Sequence, residues 1–150
     1  MGYVEENTLP DEEIIVQAEH QAAAFLFPAA LIAGGIIAGG QIGEFLLGVL
    51  LLYGLYKVVS IAISFLTDEM ALTDERAVGQ SGIISRDSLD VRNDSISGVS
   101  VDQSIVGRTL GYGTVEIIGK GTDDPIGFDY LKDPQEMRNT IQGYLSETED

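Results

Sequence analysis

The chain has 150 residues with 24 acidic and 8 basic side chains and no cysteine, yet it is 45% hydrophobic and its mean hydropathy is +0.16. A formal net charge of −16 repels nucleic-acid phosphates, and the missing thiols exclude disulfides, thiolate zinc sites and thiol catalysis. So much charge beside so much apolar surface requires segregation: residues 22–66 hold two charges, Glu44 and Lys57, and the rest of the chain holds the other 30.

Residues 1–21 carry six acids and no Lys or Arg, which is the wrong flank for a secretory signal. Two apolar runs follow, 22–40 and 45–66, with lengths of roughly 28 and 33 Å as helix, near the ~30 Å of a bilayer core. Only Gln41-Ile42-Gly43-Glu44 separates them, so the sequence predicts a two-helix transmembrane hairpin over 22–66. Seven of the eight basic residues lie beyond residue 75 and the connection has none. The positive-inside bias then places both termini in the cytoplasm of a multi-pass plasma-membrane protein. Small residues recur every four positions in the first run, as Ala30, Gly34, Ala38 and as Gly35, Gly39, Gly43, a strip on which the second helix of the hairpin can pack. Lys57 is the one basic charge inside the runs and is expected to snorkel to the headgroups, or to mark an earlier helix end; an ion path is disfavoured because neither helix supplies a carboxylate within it.

From residue 67 the pattern changes to short β-type runs at 69–73, 77–80, 82–86, 88–92, 95–102, 113–119 and 126–130, bounded by Gly, Asp, Asn and Ser. Val99 and Val101 oppose Ser100 and Asp102, and Val115 and Ile117 oppose Thr114 and Glu116, so one sheet face is buried. Gly98 is expected at a bulge. Asp133, Pro134 and Glu136 read as N-cap, N1 and N3 of a last helix, whose Met137, Ile141, Tyr144 and Leu145 form one apolar stripe suited to closing a small barrel.

The segments Leu72-Thr73-Asp74-Glu75-Arg76 and Ser81-Gly82-Ile83-Ile84, and above all Ile96 through Val115 with its Gly107-Arg108-Thr109-Leu110-Gly111-Tyr112-Gly113-Thr114 core, resemble the membrane-flanked bacterial and archaeal pleckstrin-homology-like (PH-like) family. The likeness extends to Leu9-Pro10-Asp11-Glu12-Glu13-Ile14-Ile15 upstream and to the Asp133-Pro134 helix. It implies an all-β PH-like barrel over 67–150 capped by the C-terminal helix, with residues 13–17 of the N-terminal segment contributing one strand. Within the motif, Gly111 and Gly113 flank Tyr112 where positive φ or close approach is needed, and Arg108 is expected to pair with a carboxylate and fix the turn.

Motifs for chemistry are weak. Gly111-x-Gly113 leads into a strand and has no third glycine, and Gly119-Lys120-Gly121-Thr122 lacks phosphate-loop spacing. The single histidine, His20, suits an interfacial position, and Asp87, Asp90, Asp94, Asp123 and Asp124 read as solvated surface. No cofactor, metal or catalytic residue is expected. No two basic residues lie within five positions, so no specific anionic lipid headgroup is expected either. The acidity resembles that of halophile surfaces, where salt screens self-repulsion. These readings predict a non-enzymatic membrane-anchored interaction module that presents a cytoplasmic domain to a protein partner or to its own copies. The alternative is an accessory subunit of a transport or secretion assembly.

Overall fold

Alternating apolar residues between turn formers build two antiparallel sheets in the computed structural model, which describes residues 2–38, 43–82, 87–120 and 125–148. The chain starts with a short helix α1 (Tyr3–Asn7) and strand β1 (Ile14–Gln17), passes through a 3-10 turn (Ala22–Phe25) and helices α2 (Leu26–Ala38) and α3 (Glu44–Thr67), and then completes the sheets. Strands β2 (Glu69–Thr73), β3 (Arg76–Ser81) and β4 (Asp87–Arg92) join β1 in the order β1-β2-β3-β4. Strands β5 (Ile96–Asp102), β6 (Tyr112–Gly119) and β7 (Ile126–Lys132) form the second sheet in that order. A six-residue helix α4 (Ile105–Leu110) links β5 to β6, and α5 (Pro134–Thr148) ends the chain.

The core lies between the sheets and under α5, where Met70, Leu72, Leu89, Val115, Ile117, Phe128 and Leu131 meet Met137 and Ile141. The stripe read from the last helix is therefore its buried face, and each fully buried aliphatic side chain there contributes about 1.5–3 kcal/mol. Gly79 makes room for Phe128: a Cβ on it would lie 2.7 Å from the phenyl Cζ. The register shifts between Ile96 and Gly98, as the expected bulge requires.

The segment before the apolar runs does contribute a strand. β1 pairs antiparallel with β2, and the chain beyond it bridges to β7, with the Lys132 N–H donating to Glu19 O at 2.7 Å and the Gln21 N–H to Tyr130 O at 2.9 Å. The sheets thus draw on both sides of the apolar pair. α1 packs outside β2 and β3, where Val4, Ala71 and Val78 form a second small buried cluster.

Several expectations change. Where one 19-residue span was expected over 22–40, the described part, residues 22–38, is a 3-10 turn followed by a 13-residue helix about 20 Å long. Pro28 stands in the first turn of that helix and is buried, and the turn before it leans on the barrel. Among the described residues α3 is the helix long and apolar enough to cross a membrane. The expected strand at 82–86 falls largely on residues 83–86, outside the described residues. Asp133 precedes α5 with φ +45, away from the extended backbone of an ordinary N-cap; its N–H donates to Gly111 O and its carbonyl accepts from the Met137 N–H.

Candidate functional site

The run from Gly107 to Thr114 is a capped helix turning into a strand. Ser104 is the N-cap of α4, its Oγ accepting from the Gly107 N–H at 3.0 Å, and Gly111 closes the helix at φ +74 and ψ +34 with its N–H on Gly107 O. A Cβ on Gly107 would lie 2.6 Å from Tyr112 O, and one on Gly113 2.8 Å from Asp102 O and 2.9 Å from Pro134 Cγ. These glycines let α4, β5, β6 and α5 approach. The Tyr112 ring meets Tyr130 with centroids 5.7 Å apart, and burial pushes its phenol above the usual tyrosine range, Tyr130 adding to the effect. Gly111, Tyr112 and Gly113 are therefore brought together, whereas Arg108 is not. It is exposed on α4 and makes no ion pair among the described residues, because backbone caps and glycine fix this turn without a charge.

The base of the helical pair docks beside this motif. Ile61 and Ser64 of α3 are buried, and the Phe65 ring lies 4.7 Å from His20 and 5.2 Å from Phe25. Asp68 caps α3 and ties it to the barrel, its Oδ1 accepting from Thr67 Oγ1, Ser81 Oγ and the Gly82 N–H at 3.0–3.2 Å. His20 Nε2 is buried with no hydrogen-bond partner among the described residues. Desolvation lowers the His20 pKa, against the pull of Asp68, Asp129 and Glu69.

Between hairpin base and barrel lies a cavity of about 270 Å³. Lys57 and Tyr53 of α3 line one side, and Asp102, Asp129, Tyr112 and Tyr130 the other. Lys57 is half-buried, its Nζ 6.0 Å above the Tyr53 ring centroid, and it forms no ion pair among the described residues. Asp129 accepts from Thr114 Oγ1 at 2.6 Å. An apolar groove of about 320 Å³ adjoins the cavity, walled by Leu26 and Phe27 on one side and Ile105, Val106 and Leu110 on the other. Phe27 and Val106 border both spaces. The cavity's polar groups can hold a charged ligand in orientation; among the described residues no three His, Asp or Glu side chains converge as a metal site.

Of the small residues in the first apolar run, Gly35 packs on α3, where a Cβ would make ordinary contact with Leu47, Leu50 and Leu51 at 3.6–3.8 Å. Ala30 and Gly34 face outward, Gly34 into open space, Ala38 is half-buried, and Gly39 lies outside the described residues. The strip expected on the second helix is thus split between two faces. The closest approach comes from α3, where a Cβ on Gly54 would lie 2.6 Å from Ile32 Cγ1. Gly54, one of two glycines in the second run, was the available signal.

Sequence reading also missed the use of Arg76. Its Nε donates to Glu12 at 2.9 Å, one terminal nitrogen to Asp90 at 2.7 Å and the other to Asn7 O at 2.8 Å, so it clamps the N-terminal segment onto β3 and β4. Its pKa is raised, foremost by the hydrogen bond to Asp90.

A family described as "Bacterial PH domain" matches residues 22–145, a stretch that includes both apolar helices as well as the barrel from β2 onward. No curated protein matches the chain. Among solved structures, the chain is similar to a DUF1696 family protein with a pleckstrin-homology domain from Shewanella loihica PV-4, at 15% identity and a TM-score of 0.39, over 52% of this chain and 70% of that one.

Proposed function

The chain belongs to the bacterial PH domain family, and from that premise we propose that it is a membrane-anchored, non-enzymatic binding module whose barrel sits at the cytoplasmic face. PH-like domain families are generally non-catalytic binding modules, which supports the class of function. The observation that carries the anchor is the outward face of the helical pair: Ile37, Phe45 and Leu66 are 83–85% exposed, and only 11% of the apolar window of α3 is buried. An apolar helix of a water-soluble core is mostly buried, so this surface calls for a hydrocarbon solvent. α3, at 24 residues and about 36 Å, exceeds the ~30 Å core. Because β1 and β2 are hydrogen-bonded neighbours, the chain leaves and re-enters the barrel on one side, in keeping with both termini in the cytoplasm.

The test replaces residues 22–66 by a short Gly/Ser linker. The parent chain should stay in the membrane pellet after alkaline carbonate extraction, and the linker variant should move to the supernatant while keeping its β-sheet circular dichroism. Release of the parent by carbonate would refute the anchor. The chain has no native cysteine, so single cysteines at Gly43 and Glu147 report topology: labelling of position 147 from outside cells would refute the orientation. The accessory-subunit reading is favoured by one observation, the outward Ala30 and Gly34 face, which admits a partner helix. In-cell cross-links from that face to a larger membrane protein would select it.

A further inference from the structure

We propose that the cleft where the hairpin meets the barrel holds one phospholipid, with its headgroup in the polar cavity and an acyl chain along the adjoining apolar groove. This rests on the reading that the hairpin lies in a membrane. The two spaces differ in chemistry and lie side by side, with Phe27 and Val106 lining both. A single molecule that fills both is polar at one end and apolar at the other. The polar cavity, at about 270 Å³, lies below the ~300–1,000 Å³ typical of small-molecule pockets, a size for a headgroup and not for a whole amphiphile.

The lining defines the headgroup. Lys57 presents a cation with no ion-pair partner among the described residues, while Asp102 and Asp129 offer oxygens that only accept. Lys57 therefore takes the phosphodiester, and the carboxylates take hydrogen-bond donors beyond it, an ammonium or hydroxyls. Tyr53, Tyr112 and Tyr130 also line this cavity. The groove is continuous with the hairpin's outer surface: Leu26 is 58% and Ile105 87% exposed, so α4 places an apolar side chain beside the first turn of α2. The net charge of the chain opposes adsorption to a flat anionic surface, but a single lipid held edge-on in this cleft needs no basic patch.

The full chain, purified in detergent and stripped of lipid, is titrated with phosphatidylethanolamine, phosphatidylglycerol and phosphatidylcholine of identical acyl chains, and native mass spectrometry counts the adducts. One donor-bearing lipid should be retained at concentrations about tenfold or more below phosphatidylcholine, whose methylated ammonium has no N–H. Lys57→Met and Asp102→Asn should each erase that preference while the melting temperature stays at the parent value. Equal retention of phosphatidylcholine, or variants that retain lipid as the parent does, would overturn the site. Glycerophosphoethanolamine, the headgroup without chains, binding as tightly as the lipid would overturn the lipid assignment in favour of a soluble phosphodiester. Carbonate extraction separates the two failures: a chain released from membranes loses the anchor and this proposal together, whereas a chain that stays in the pellet without lipid preference loses this proposal alone.

Discussion

Arg76→Ala should unfasten the N-terminal segment from the barrel. The Arg76 side chain is 19% exposed and that of Glu12 only 3%, so the substitution leaves a buried carboxylate without its cation. A hydrogen bond to a charged group of this kind is worth about 1.5–3 kcal/mol. The Asp90 contact adds about 1 kcal/mol or less, because that carboxylate is 61% exposed and screened by water. The bond to Asn7 O adds a similar amount. These contacts share one side chain and do not sum freely, so the loss should be about 2–4 kcal/mol. Its ceiling is set by detachment: residues 3–13 can peel away instead, which exposes Val4 and frees the Val4 N–H from Glu69 Oε2. For a barrel of this size the melting temperature should fall by about 8–16 °C, and Val4 amide exchange should accelerate more than exchange in β6. Glu12→Gln keeps a neutral acceptor and should lose roughly 1 kcal/mol. A melting temperature within 2 °C of the parent, with Val4 protection unchanged, would refute the clamp.

Gly79→Ala should destabilise by about 1–3 kcal/mol in urea titration, because its Cβ would sit 2.7 Å from Phe128 Cζ and 2.8 Å from Glu69 O in a packed core. Arg108→Ala should change stability by less than about 0.5 kcal/mol, whereas Gly111→Ala, at φ +74, should lose about 1–2 kcal/mol in the same assay. If acidity reflects a salty cytoplasm, the full chain should gain melting temperature steeply between about 0.1 and 2 M KCl, and a flat response would remove that inference. The folded-state pKa of His20 lies below its unfolded value of about 6.5, so the unfolded chain binds the extra proton. Its contribution is fully present above pH 6.5 and is lost as pH falls through the folded pKa; the stability of the parent relative to His20→Phe should therefore fall from pH 7.5 to pH 5, and a constant difference would refute the desolvated imidazole.

What the sequence disclosed follows from how local each signal is. Strands with alternating burial, such as β6, and the apolar stripe of α5 announce themselves because each side chain's role is set by its position within the element. The motif at Gly111, Tyr112 and Gly113 was legible as a shaped turn, since glycine answers a backbone demand. α4 escaped notice because six residues show no helical period; its signals were only the capping Ser104 and Gly111. Arg76 and Lys57 show the other limit. Glu12 lies 64 residues from Arg76, and the groups that line the cavity opposite Lys57 come from β5, β6 and β7, so no spacing rule links either basic residue to what it faces. Arg108 misled for the same reason: a basic residue in a recognisable motif invites a partner, yet the fold left it in water.

The place of the hairpin in the chain has a consequence for how the protein must be handled. β1 precedes it and β2 follows it, so 51 residues separate Gln17 from Glu69 while their strands are hydrogen-bonded neighbours. Closing a flexible loop of that length costs roughly 2 kcal/mol more than closing one of four residues, and the packing of the two helices at Gly35 and Gly54 offsets part of that by ordering the loop. A fragment beginning at residue 67 would lack β1 and the clamp to Glu12, leaving an open edge on β2 and the Arg76 cation without its buried partner. Such a fragment should aggregate where the linker-joined chain folds. Helical pair and barrel are therefore coupled: whatever strains the base of the helices, at Asp68 or at the His20–Phe65 contact, acts directly on the sheet at the β1–β2 pair.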